Sequence, residues 1–155
     1  MVGAAVSEDH DKTERQMAEL LQEARIALPG VQFLFAFLLT APFAARFGDV
    51  TSFQRTAYFV ALLSTAVSAA FLIAVPATHR LRFQQRDRPY IISTSNQYMI
   101  AALALLAVGI VAALVCLTDF LYGGAATWIW PGAVALVLLM LWFARPLLRD
   151  RSSGT

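Results

Sequence analysis

One cysteine, one lysine and two histidines are all that this 155-residue sequence offers of three chemically versatile side chains, and only 14% of it is charged. The lone Cys116 excludes an intramolecular disulfide and any site built from several thiolates. Set in an apolar run, it reads as a small packed hydrophobe. His10 and His79 stand far apart in the chain, without a second histidine or a cysteine nearby, so a metal site is not expected. Met99 and Met140 have no histidine to share a haem with, and both read as core. A glycine-rich phosphate loop, a nucleophile elbow and a His-Glu-x-x-His pair are all missing. The expectation is a chain that is not an enzyme and carries no cofactor.

The shortage of charge is as informative. Soluble domains carry about 25% charged residues, so 14% is too few to coat a surface facing water. Four stretches contain no Asp, Glu, Lys, Arg or His at all: Ile26–Ala45, Ala57–Ala77, Gln97–Thr118 and Ala125–Ala144. A helix rising about 1.5 Å per residue needs roughly 20 residues to cross the hydrocarbon core, which is the length of each. Backbone groups in lipid must be satisfied within the segment, so helices are expected and not open strands. None of the four has the polar stripe of a helix buried in a soluble protein. The fold class read from this is an all-α membrane protein, four transmembrane helices in a bundle plus an N-terminal amphipathic helix.

That extra helix is expected over residues 13–28, after a disordered tail at 1–12. Met17, Leu20, Leu21, Ala24 and Leu28 recur at helical spacing, opposite Glu14, Glu19, Gln22 and Glu23. Pro29-Gly30 then marks a hinge to the first span. The polar face is acidic, which argues against docking on anionic lipid and for covering the bundle ends or a partner. The transmembrane domain takes residues 26–145, and 146–155 form a tail. Residues 1–25 hold six acids, and no signal peptide is expected from them.

Basic residues set the orientation. Ten of them lie in the N-terminal segment, the connection between spans two and three, and the tail; only Arg46 and Arg55 lie on the opposite side. The positive-inside rule places both termini in the cytoplasm of a cell whose inner membrane holds the chain. Tyr98 and Tyr122 flank the third span and Trp128, Trp130 and Trp142 bracket the fourth, as interfacial rings do. Thr13-x-x-Gln16, Thr51-x-x-Gln54 and Thr94-x-x-Gln97 match the capping box, and Gly123-Gly124 suits a helix end.

Three groups of residues are candidates for function. Arg80, Arg82, Arg86 and Arg88 form the densest positive cluster, a contact for lipid headgroups or an acidic partner, or simply a topology signal. So short a loop between two spans is not expected to bind nucleic acid. Asp119 shares a membrane face with Arg46 and Arg55, and could ion-pair with either. Ala57, Ala61, Thr65 and Ala69 step by four, as do Ser64 and Ser68, and Gly109 precedes Ala113 by four. Small residues at that spacing let helices approach closely, inside one bundle or across a homo-oligomer seam. Ion pathways usually place an ionisable group at membrane depth, and the four stretches have none. A transport path would have to use Gln32, Thr40, Ser64 and Ser68.

The run from Leu20 to Gln32, with Phe35–Thr40, Phe53-Gln54-Arg55, His79-Arg80 and Thr118-Asp119, resembles an uncharacterised family of small bacterial four-span membrane proteins. The resemblance covers roughly residues 12–150 and implies a helical inner-membrane protein with no catalytic residues to carry over. Some members bear a sodium:proton antiporter label. The leading expectation is a structural or accessory membrane protein whose partners are the bilayer and either further copies or another membrane protein. A small homo-oligomeric transporter or channel is the alternative, and an anionic-lipid-binding protein a third.

Overall fold

The computed structural model describes the backbone of residues 2–45, 47–82 and 88–144, and side chains over 15–45, 47–78, 80 and 92–142. The described residues form helices joined by short turns, with no strand among them. Helix α1 covers Val2–Thr40, α2 Ser52–Arg82, α3 Arg88–Leu121 and α4 Ala126–Leu139. Short 3-10 turns at Ala41–Phe43 and Phe47–Asp49 join α1 to α2, and a π-helical turn extends α4 over Met140–Ala144. Three of these helices are long and apolar enough to cross a membrane, over Arg15–Phe43, Ser52–Thr78 and Ile92–Leu121. The fourth, Ala126–Trp142, is apolar but shorter.

α1 runs unbroken through Pro29 and Gly30, where the sequence suggests a hinge, and it begins at Val2, well ahead of residue 13. The physics allows this. Proline's fixed φ is a helical one, and its missing N–H orphans only the Arg25 carbonyl, on an exposed residue. Two of the three capping boxes are overridden likewise, because Thr13 and Thr94 lie inside α1 and α3. A cap contributes about 1 kcal/mol and cannot end a helix whose neighbours go on packing. The Thr51 box does form. The Thr51 Oγ1 accepts from the Gln54 N–H at 3.2 Å, and the Gln54 Oε1 accepts from the Thr51 N–H at 3.0 Å.

The chain divides into two compact units. One holds residues 1–37 and 65–106. Its core joins Ala24 and Val31 of α1, Leu72 and Val75 of α2, and Met99 and Ala102 of α3, with Leu21 and Leu28 at the margin. The apolar stripe of the acidic N-terminal helix is thus covered by its own chain. Outside that stripe lie Arg15 and Glu19, paired at 3.5 Å but exposed, where an ion pair adds little. The other unit holds residues 38–64 and 107–155. There α3 ends as expected: the N–H groups of Tyr122 and Gly123 both donate to the Thr118 carbonyl, and Gly123 and Gly124 take φ of 66° and 60°. Residues with a Cβ pay about 1–2 kcal/mol each for that left-handed conformation, which is why two glycines stand here.

Candidate functional site

The densest polar contacts among the described residues centre on Asp119. It sits in the last turn of α3, the negative end of its own helix, where a carboxylate is disfavoured. Two other helix starts offset this. Gln54, in the first turn of α2, donates its Nε2 to Oδ2 at 2.9 Å. Thr127, in the first turn of α4, donates its Oγ1 to Oδ1 at 2.8 Å. Both donors are buried, Gln54 at 6% exposure, and the half-buried carboxylate leaves each hydrogen bond partly shielded from water. The Gln54 amide serves twice, its oxygen capping α2 and its nitrogen holding α3. Phe53 and Trp128 add a tilted ring contact with centroids 5.9 Å apart.

A second contact in the same unit repairs a backbone defect. Pro42 has no N–H, so the Leu38 carbonyl lacks its usual donor four residues on. The buried Tyr58 supplies it, with Oη donating to that carbonyl at 2.6 Å. Its ring packs edge-on against Phe47, centroids 5.1 Å apart. Tyr58→Phe should therefore cost about 1–2 kcal/mol, the penalty of an orphaned buried acceptor. Pro42→Ala restores the N–H, so in that background the Tyr58→Phe cost should at least halve. Equal costs in both backgrounds, measured by SDS unfolding in mixed micelles, would refute the account.

In the other unit, Ser68 of α2 donates its Oγ to the Ala102 carbonyl of α3 at 2.7 Å, fully buried. Phe71 and Tyr98 stack obliquely beside this core. Ser95 is buried without a hydrogen-bond partner for its hydroxyl.

The residues singled out from sequence distribute as follows. Ala61, Thr65, Ser68 and Gly109 are buried, and Ala57, Ser64, Ala69 and Ala113 half-buried, so most of the small-residue steps are covered within the chain. Asp119 meets Gln54 and Thr127; Arg55 is exposed, and Arg46 lies outside the described residues. Arg80 is exposed at the end of α2, the side chains of Arg82 and Arg88 are not described, and Arg86 lies outside the described residues. Met99 is core, but Met140 is 54% exposed and not core: the helix continues past it with that face uncovered. Of the residues a transport path would use, Gln32 is exposed and Ser68 is committed to Ala102.

Residues 7–146 match the Family of unknown function (DUF6328). The chain belongs to that family. Among curated proteins and solved structures, nothing matches it. Family membership therefore agrees with the resemblance found in the sequence and assigns no activity.

Sequence reasoning passed over Gln54, Thr127 and Tyr58 as anything but local features. Two signals pointed to them. An acid closing an apolar helix needs donors, and a proline four residues after a buried carbonyl needs a substitute for its N–H.

Proposed function

We propose that this member of the family is a non-enzymatic structural or accessory protein of the bacterial inner membrane, which self-associates or supports a larger complex. Four spans are part of the proposal. α4 is the shortest, but its helical run continues to Ala144, and a locally thinned bilayer accommodates short spans. Both termini and the Arg80–Arg88 connection then face the cytoplasm.

One observation carries the reading. Among the described residues the buried polar side chains, Ser95 apart, bond to one another or to backbone, as Gln54 and Thr127 do to Asp119, Tyr58 to Leu38 and Ser68 to Ala102, while many large apolar side chains are exposed. Phe33 and Phe37, at 68% and 73% exposure, have no place in water but suit lipid or a membrane partner. Polar groups spent on holding helices together are not free to bind and release a substrate.

The deciding experiment extracts the chain in native lipid particles and reads the mass and composition of the complex. A heteromer or defined homo-oligomer that supports no ion flux in proteoliposomes is the expected result. A lone monomer defeats the accessory reading, and a homo-oligomer that conducts or exchanges ions replaces it with transport.

A further inference from the structure

A cleft of about 380 Å³ opens in the unit formed by residues 38–64 and 107–155. Leu38, Ala41 and Phe47 form one wall, Tyr58 another, and Ala113 and Cys116 a third. The Tyr58 hydroxyl is already given to the Leu38 carbonyl, so the cleft offers almost nothing to a polar guest. Water gains little in such a space, and an empty void forfeits dispersion contacts along its lining. Its walls belong largely to the stretches Arg15–Phe43, Ser52–Thr78 and Ile92–Leu121, each apolar enough to cross a bilayer. Hydrocarbon is therefore the neighbour best placed to fill it.

Charge near the cleft narrows the guest further. Asp49 and Arg55 are both exposed, and neither forms an ion pair among the described residues. Asp49 lies between Phe47 and Val50, which both line the cleft. Arg55 precedes Tyr58 by three residues on α2 and so shares its side of the helix. An anion and a cation next to residues that line one apolar cleft match a zwitterionic headgroup whose ammonium still has N–H donors. Asp119, the other acid of this unit among the described residues, is occupied by Gln54 and Thr127. We propose that the cleft holds one acyl chain of a phosphatidylethanolamine, with its phosphate on Arg55 and its ammonium on Asp49.

The proposal rests on the membrane reading, and the two fail differently. A chain recovered outside the membrane fraction defeats that reading, whereas a membrane-integral chain that retains no lipid defeats only the cleft.

The test takes the full chain, stripped of lipid in detergent, and titrates it with palmitoyl-oleoyl phosphatidylethanolamine or phosphatidylglycerol under native mass spectrometry. The expected result is one phosphatidylethanolamine per chain, held more tightly than phosphatidylglycerol. Ala113→Phe fills the cleft and should weaken both lipids at least about tenfold, the effect of losing a well-filled apolar site. Arg55→Gln should weaken both about fivefold, the worth of one interfacial cation. Asp49→Asn should abolish the preference between them. Should Ala113→Phe lose helix content by circular dichroism, Ala41→Leu narrows the cleft from the other wall, and the two surface variants decide in any case. Retention indifferent to the filling variant and to both surface changes overturns the proposal. So does retention lost on Arg80→Gln with Arg82→Gln, which places the lipid elsewhere, or a dimer mass that Ala113→Phe removes, which makes the guest a second copy.

Discussion

Asp119→Ala should destabilise the chain by about 2–4 kcal/mol, more than its single carboxylate suggests. The loss is not only of two charge-assisted hydrogen bonds. Gln54 Nε2 and Thr127 Oγ1 stay behind in buried positions with nothing to donate to, and each orphan costs about 1–3 kcal/mol. Three variants separate this from a general packing defect. Asp119→Asn keeps the shape: its Oδ1 can still accept from Gln54 while its amide donates to a rotated Thr127 hydroxyl, so the cost should fall to about 1 kcal/mol, the charge-assisted part alone. Thr127→Val removes one orphan in advance, so Asp119→Ala should cost about 1 kcal/mol less in that background. Gln54→Leu loses the α2 cap as well as the bond to Asp119 and should exceed Thr127→Val. SDS unfolding in mixed micelles, followed by far-ultraviolet circular dichroism, measures all four. Strictly additive costs for Asp119→Ala and Thr127→Val would mean that the contact carries no energy.

The contrast between Asp119 and the core explains how much of the molecule was legible beforehand. Long charge-free stretches announce helices because lipid or a dry interior leaves the backbone no other partner; α2 and α3 contain the second and third stretches whole, and α1 the first as far as Thr40, before the turn that holds Pro42. The stripe Leu21, Ala24, Leu28 was readable because helical spacing alone decides which side chains share a face. The Gly123-Gly124 stop and the Thr51 box were readable because both are settled within a few residues. What local pattern could not supply is the choice of partner across 65 residues between Gln54 and Asp119. From the sequence the expected partner was an arginine, Arg46 or Arg55. A neutral amide in a buried first turn is nevertheless the cheaper neighbour for a carboxylate, since an arginine there would have to shed its own hydration. The unbroken passage through Pro29 escaped for the opposite reason: the local signal was clear, and the surrounding helix outweighed it.

Ala102→Leu should be the most damaging single change in the other unit, costing about 2–4 kcal/mol. Ala102 is nearly fully buried, and its carbonyl accepts from Ser68 Oγ at 2.7 Å, so α2 and α3 lie close together at this point. Leucine needs volume that neither Leu72 nor Val75 can yield without moving, and overpacking costs about 1–3 kcal/mol. Forcing the helices apart also stretches the Ser68 bond, which contributes about 0.6 kcal/mol by the average for membrane helices. Leu72→Ala, at 2% exposure, is the instructive comparison. In a water-soluble core it would cost about 2.7–5.0 kcal/mol, a sum of transfer and cavity terms. In a bilayer the separated helices keep Leu72 among hydrocarbon, so the transfer part, about 0.8 kcal/mol for each methylene lost, largely cancels. Its cost should then fall to about 1–2 kcal/mol, below that of Ala102→Leu. Far-ultraviolet circular dichroism through an SDS titration ranks the two. Leu72→Ala costing the more would show that this core is held together by expulsion of water, as in a soluble protein, and not by the close approach of small residues.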